Sequence, residues 1–500
     1  MDLLIANLVH GFGVALSLDN LLFALLGAFI GTAIGVLPGI GPVATISLLL
    51  PITFGQPATT AIIMLAGIYY GAQYGGSTTA ILLNLPGEVS AVVTTLEGYK
   101  MARNGRAGAA LAIAAIGSFF AGSVATILVA ASGPLLTEVA LSFGPADYFS
   151  LMLLGLIISA VLAQGSVVKS VGMVVFGVAL GLVGTDVQTG QQRFTFGVPE
   201  LSDGLNFAAI AMGVFGIAEI ILNLERPEVR EVLTTKVGSM FLTKEEWKRA
   251  TPSVLRGTLI GSALGILPGG GASLASFGSY MMERKMSKGR NEFGTGAIEG
   301  VAGPEAANNA AAQTSFIPLL TLGIPSNAVM ALMVGALIIQ GIQPGPRMVE
   351  AQPDLFWGLI CSMWLGNLML LIINLPMIGM WVKLLQVPYK YMYPAILSFC
   401  AIGVYSINNN VFDVYQTVFF AILGYAFAKL KMEPAPLLVG FVLGPMMEEH
   451  LRRAMLLSRG DPIVFIERPI SAVLLAIAAL ALGLMLLPAL RKKKEAAMAG

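Results

Sequence analysis

Two segments of this sequence put backbone N–H groups where apolar chains usually hide them. The first reads Gly31-Thr-Ala-Ile-Gly35-Val-Leu-Pro38-Gly39-Ile40-Gly41, and the second Gly261-Ser-Ala-Leu-Gly265-Ile-Leu-Pro268-Gly269-Gly270-Gly271. In each, small residues four apart let a helix approach a neighbour closely. The Pro-Gly-x-Gly that follows must then stop the helix. Backbone groups freed at membrane depth cost several kcal/mol each unless protein or a watery cavity takes them up. A matched pair of such breaks in two halves points to the binding site of a secondary transporter. The chemistry on offer is anion binding, because half-helix N-termini hold carboxylates through amides and the helix dipole.

A polar-rich motif follows each break. In the first half Tyr70-Gly-Ala-Gln73-Tyr74-Gly75-Gly76-Ser77-Thr78-Thr79 leads to Asn84-Leu-Pro86-Gly87-Glu88. In the second Gly303-Pro304-Glu305-Ala-Ala-Asn308-Asn309 leads to Thr321-Leu-Gly323-Ile-Pro325-Ser326-Asn327. A single serine or threonine in a membrane helix most often bonds its own i−4 carbonyl. Ser77, Thr78 and Thr79 beside two glycines are more than that, since they combine hydroxyls with a backbone open to a ligand. Asn308 and Asn309 can coordinate a cation through oxygen, hold a carboxylate through NH₂, or simply tie two helices. Asn84 has the same donor set, and Na⁺ is the cation expected of it and of the Asn308–Asn309 pair. Glu305 reads either as a proton or ion path, the usual role of an intramembrane carboxylate, or as a helix-entry residue at the water boundary.

These motifs need membrane helices to position them. The sequence is 56% hydrophobic and 11% charged, against about 25% charged in soluble domains. Residues 20–87 carry no charge at all, and several other runs exceed the ~20 residues that span a bilayer. The composition predicts an all-α polytopic membrane protein with roughly 10–14 segments, some of them broken helices or re-entrant hairpins. The two signatures predict two structural repeats, expected to be inverted. The division falls at the polar stretch 225–255, whose mixed charge and Trp247 suit an interfacial linker. It separates an N-terminal repeat (1–224) from a C-terminal one (256–490), followed by a basic tail (491–500). Residues 2–17 read as an amphipathic lead-in at the interface, retained because no cleavage signal precedes it. Arg491-Lys-Lys-Lys494 predicts a cytoplasmic C-terminus. The basic segments Lys100–Arg106 and Arg284–Arg290, taken as corresponding loops, cannot both satisfy the charge rule if the repeats are inverted.

Other chemistries find little support. Cys361 and Cys400 both lie in apolar runs, against a disulfide framework or zinc site. There are two histidines, His10 and His450, and neither neighbours a serine motif in a long apolar run, so an intramembrane hydrolase fits poorly. No phosphate-loop signature is present. A net charge of +1 without a long basic tract gives no reason to expect nucleic acid.

The runs Gly35-Val-Leu-Pro-Gly-Ile-Gly-Pro42, Ala66 to Glu88, Gly265 to Gly271 and Gly303 to Asn309 resemble the large membrane subunit of tripartite tricarboxylate transporters. The likeness covers essentially the whole chain, departing at Ser326, where the Leu-Gly-Ile-Pro motif often continues with glycine. It implies a non-enzymatic permease of the bacterial inner membrane that imports citrate-like tricarboxylates, dicarboxylates or aromatic acids. It also implies two partners, a smaller membrane subunit and a periplasmic substrate-binding protein, with a Na⁺ or H⁺ gradient as the driving force. An elevator-type movement is expected. With the residues, it places substrate at Gly39, Ile40, Gly41, Ser77, Thr78, Thr79, Gly269, Gly270, Gly271, Asn308, Asn309 and Ser326. Glu305 is the candidate for proton coupling. A passive anion pore is the alternative, since channels also use glycine-broken helices.

Overall fold

The computed structural model describes residues 2–37, 41–163, 166–186, 188–225, 238–267, 271–345, 347–385 and 389–486. Both break tips (Pro38–Ile40 and Pro268–Gly270), most of the 225–255 stretch's first half and the basic tail lie outside them. Among the described residues the fold is all-α apart from one short antiparallel hairpin, Gly184–Thr185 with Gln192–Arg193. Among the described residues five helices are long and apolar enough to cross a membrane: Leu18–Gly35, Val89–Gly133, Phe207–Glu225, Pro353–Asn374 and Val411–Lys429.

The helices used below are α1 (Asp2–Ala15), α2 (Leu18–Gly35), α3 (Pro42–Leu49), α4 (Ala58–Leu83), α5 (Val92–Met101), α6 (Ala107–Leu141) and α7 (Val167–Gly181). In the second half they are α8 (Lys244–Gly265), α9 (Gly271–Met286), α10 (Glu299–Thr314), α11 (Phe316–Leu322), α12 (Ala328–Ile339), α13 (Pro353–Asn374) and α14 (Ala435–Leu457). A capping box starts α8, with the Thr243 hydroxyl accepting from the Glu246 N–H and the Glu246 carboxylate accepting from the Thr243 N–H. From there α8 runs unbroken past residue 255 to the second break. The lead-in α1 packs along α13, where a Cβ on Gly11 would meet the Trp357 carbonyl at 2.5 Å.

Two helices form the centre. Every residue of α4 from Thr60 to Leu83 is buried, and so is every residue of α10. A helix buried all round belongs to the core of a large protein, yet these two carry the polar motifs. Glycine is what lets others reach them. A Cβ on Gly27, Gly31 or Gly35 of α2 would sit 2.3 Å from the carbonyl oxygens of Met64, Ile68 and Ala72, respectively. The reciprocal glycines Gly67, Gly71 and Gly75 of α4 abut the backbone of α2. In the second half Gly257, Gly261 and Gly265 of α8 meet the carbonyls of Gly303, Ala307 and Ala311 on α10 at 2.2–2.4 Å in the same sense. The small-xxx-small faces are thus each extended by a third glycine.

The contacts advance along both members of each pair, so α2 is parallel to α4 and α8 to α10. Between the pairs the sense reverses. Ser77 meets Glu305, while Tyr70 lies beside Phe316, just past α10. Going back along α4 therefore means going forward along α10.

The basic segments settle on one face. Asn104 donates to the Thr295 carbonyl at 3.0 Å, Arg106 pairs with Glu246, and Arg249 reaches Glu292 and Glu299. They do not occupy equivalent places. Lys100–Arg106 follows α5, after the first pair, whereas Arg284–Arg290 lies between α9 and α10. The two segments therefore differ in their position relative to the glycine-faced pairs.

Candidate functional site

Glu305 lies within α10 and is 1% exposed. Of its two sequence readings, the water-boundary one is excluded by this burial. Its Oε2 accepts from the Ser77 hydroxyl at 2.6 Å, and its Oε1 accepts from the Thr94 hydroxyl. Both donors are neutral. Three other buried carboxylates are paired with arginine, Glu283 with Arg256, Glu299 with Arg249 and Asp147 with Arg468, while Asp413 takes the amides of Asn206 and Asn408. Among the described residues no lysine or arginine pairs with Glu305. An unpaired buried carboxylate costs several kcal/mol unless a proton or cation offsets it.

Thr94 reaches Glu305 because α5 is anchored by its own buried carboxylate. Glu97 accepts from the backbone N–H groups of Gly296 at 2.8 Å and Ala297 at 3.0 Å, and from the Tyr280 hydroxyl at 3.0 Å. These donors surround the entry to α10 and fix α5 against it.

One turn along α10 the two asparagines diverge. Asn309 donates from Nδ2 to the Ser118 hydroxyl of α6 at 2.7 Å and to the Glu305 carbonyl at 3.1 Å. That is a tie between helices. Asn308 donates from Nδ2 to Glu88 Oε1 at 3.1 Å, and its buried Oδ1 has no partner. Glu88 also accepts from Ser90 and, among the described residues, faces no cation either.

The loop that brings Glu88 here turns at Asn84, which caps α4 in the left-handed conformation with φ of 59°. The loop then crosses α4 at Gly87, where a Cβ would come within 2.4 Å of the Gly35 carbonyl and 2.5 Å of Gly76 Cα. Only glycine fits both approaches. Asn84 itself is exposed at the helix end, so it stands apart from the buried amides. Thr79 ties the same region down, donating to the Val36 carbonyl at 2.5 Å beside the first break.

Further along the interface the Tyr69 hydroxyl sits among the side chains of Ser315, Asn327 and Gln73 and near the Glu88 charge. The Gln73 contact falls outside ordinary hydrogen-bond geometry, since both Gln73 amide atoms are buried without a partner. Asn327 caps α12 by accepting from the Met330 N–H at 2.9 Å, and Gly271 abuts its Nδ2. Ser326 is buried, donating to the Ser315 carbonyl at 3.3 Å. Gly271 opens α9 with φ of 37°, where a side chain would be strained. Gly41 opens α3 with nothing around its Cβ position. Gly39, Ile40, Gly269 and Gly270 lie outside the described residues.

A polar file therefore runs from Thr94–Glu305–Ser77, past Gln73, Asn308 and Glu88, to Tyr69, Asn327 and Gly271. Beside it Tyr74, Ser77, Thr78, Ser118 and Asn374 line a small cavity with room for about one water. Tyr74 Oη and Asn374 Oδ1 are unpartnered there. The polar motifs read from the sequence supply Ser77, Thr78, Glu305, Asn308, Asn309 and Gln73 here, while Thr94 and Ser118 lie outside those motifs. Thr94 had a signal: Ser90, Thr94 and Glu97 fall at i, i+4 and i+7, one buried polar face.

The model of the tripartite tricarboxylate transporter TctA family matches residues 21–439. An uncharacterised 52.8 kDa protein of Agrobacterium vitis, described by its place in the TAR-I ttuC′ 3′ region, is 60% identical over 495 residues, 99% of this chain and 98% of its own length. A second A. vitis protein, described by the TAR-II ttuC′ 3′ region, is 63% identical over 235 residues, 47% of this chain and 97% of its own. No solved structure matches.

Proposed function

Since the chain belongs to the tripartite tricarboxylate transporter TctA family, a family of membrane transporters, we propose that it is the large permease subunit of an ion-gradient-driven importer of organic carboxylates. The family name supports a tripartite system. The proposed partners are a small membrane subunit in the same bacterial inner membrane and a periplasmic protein that delivers the substrate. The two glycine-faced pairs, running in opposite senses, are proposed as the cores of inverted repeats that carry the site in an elevator-type movement.

The observation that carries the coupling is Glu305. A carboxylate that is 1% exposed and held by two hydroxyls, with no lysine or arginine paired to it among the described residues, is a poor passenger through an apolar barrier. Taking up a proton removes the charge and the barrier to movement. Moving only when neutralised is what ties transport to an ion gradient. Substrate carboxylates would meet the amides at the Gly41 and Gly271 helix starts and the hydroxyls of Ser77, Thr78 and Ser326.

Uptake of a labelled carboxylate panel into proteoliposomes holding this chain and its small partner tests the reading. Saturable accumulation under an imposed H⁺ or Na⁺ gradient, dependent on the binding protein, is expected. Equilibration that neither gradient drives uphill would make the chain a passive anion pore.

A further inference from the structure

We propose that Glu88, Asn308 and Gln73 form a binding site for one monovalent hard cation, for which Na⁺ is the natural probe. The geometry rests on the antiparallel contact between α4 and α10. Ser77 meets Glu305 at 2.6 Å. Gln73 lies four residues back on α4 and so shares the face of Ser77. Asn308 lies three residues forward on α10. Because the helices run in opposite senses, both steps lead to the same side of that contact, and Gln73 and Asn308 come to lie across the interface from each other. Glu88 joins them from the loop, packed on Gly76 and accepting from Asn308 Nδ2 at 3.1 Å.

Two independent orphans mark the place. Asn308 Oδ1 and both Gln73 amide atoms are buried without hydrogen-bond partners, and both residues are 0% exposed. The carboxylate explains the first of these, since its pull on the Asn308 NH₂ turns the amide oxygen free. Leaving such groups unpaired costs about 1–3 kcal/mol each, and a cation would take up two of them, the amide oxygens Asn308 Oδ1 and Gln73 Oε1. Hard cations take carboxylate and amide oxygens. With Glu305 neutralised by its own proton, one carboxylate and two neutral amides with a single positive charge sum to zero, whereas a divalent ion would leave a net charge beside the buried amides. Asn84 and Asn309 are not needed. The first is exposed, and the second spends its NH₂ on Ser118 and the Glu305 carbonyl.

This inference adds a cation site beside the Glu305 coupling group of the proposed importer and rests on that reading for its purpose, although its test does not. Thermal unfolding of the purified full-length chain in micelles would be followed against NaCl, with choline chloride holding ionic strength constant. Saturable stabilisation by Na⁺ over choline is expected. Gln73→Leu removes no hydrogen bond of ordinary geometry and should fold as well as the parent without Na⁺. It should nevertheless raise the Na⁺ concentration of half-effect by more than about tenfold, the smaller of the losses usual for substitutions around a metal. Glu88→Gln should abolish the response, and Glu305→Gln should preserve it. No Na⁺ effect, or an unchanged one in Gln73→Leu and Glu88→Gln, would overturn the site. Carboxylate uptake driven by pH alone in the same preparation would then leave the importer standing. Na⁺ stabilisation with no carboxylate uptake would instead keep the site and remove the importer.

Discussion

Gly31→Ala tests the packing that holds the two central helices in place. The added Cβ would lie 2.3 Å from the Ile68 carbonyl oxygen and 2.7 Å from its Cα. Both obstacles are backbone, so no rotamer change can relieve them, and α2 and α4 must part by about 1 Å. A gap of that size forfeits roughly a quarter to a half of the dispersion attraction across the facing surfaces. Overpacking of this kind costs about 1–3 kcal/mol. Gly172→Ala on α7 is the control, since nothing lies within 4 Å of its Cβ position. There alanine should gain up to about 1 kcal/mol from helix propensity. The two variants are thus expected to differ by roughly 2–4 kcal/mol in equilibrium unfolding in mixed micelles. Gly71→Ala meets the same pair from the other side, at 2.5 Å from the Ala28 carbonyl. Once one alanine has parted the helices, the second clash is largely relieved, so the double variant should cost less than the sum. Equal stability of Gly31→Ala and Gly172→Ala, or strict additivity of the pair, would refute a shared backbone contact.

Other consequences can be checked separately. Glu305→Gln keeps the shape and removes the charge, so it should lose uphill accumulation while still exchanging carboxylate by counterflow; retained accumulation would clear Glu305 of coupling. Thr79→Val leaves the Val36 carbonyl at the first break without its 2.5 Å donor, and should lower unfolding stability by about 1–3 kcal/mol. An unchanged midpoint would show that this bond does not hold the break. At the partly exposed contact of the hairpin with α14, hydrogen bonds from Arg193 hold the Glu448 carboxyl below its ordinary value, with partial burial opposing and Arg452 assisting. A depressed carboxylate stabilises above its unfolded pKa and loses that contribution as pH falls through the folded one. Amide-exchange protection of the Gly184–Arg193 hairpin, corrected for intrinsic rate, should therefore decline below about pH 4.3 and hold steady above it. Protection that persists to pH 3 would mean that the Glu448 pairs with Arg193 and Arg452 are not what anchors the hairpin.

The sequence by itself determined the class and singled out several residues of the candidate site. Length of uncharged run decides that a segment is membrane helix, because the bilayer punishes charge and unpaired backbone regardless of context. Pro-Gly-x-Gly stops a helix for equally local reasons, and glycines four apart announce a close neighbour. Ser77, Glu305 and Asn308 stood out because polar groups in such runs need partners.

Who those partners are was decided by tertiary structure alone. Nothing local says that Glu305 takes its hydroxyls from Ser77 and Thr94 while Glu283 and Glu299 take arginines. Nothing local says that Asn309 is spent on Ser118 while Asn308 keeps a bare oxygen. Adjacent identical residues on a helix point about 100° apart, and only the identity of the facing helix fixes what each one meets. The direction of one central pair against the other is likewise a property of the whole chain path, and it is what brings Gln73, Glu88 and Asn308 to one place.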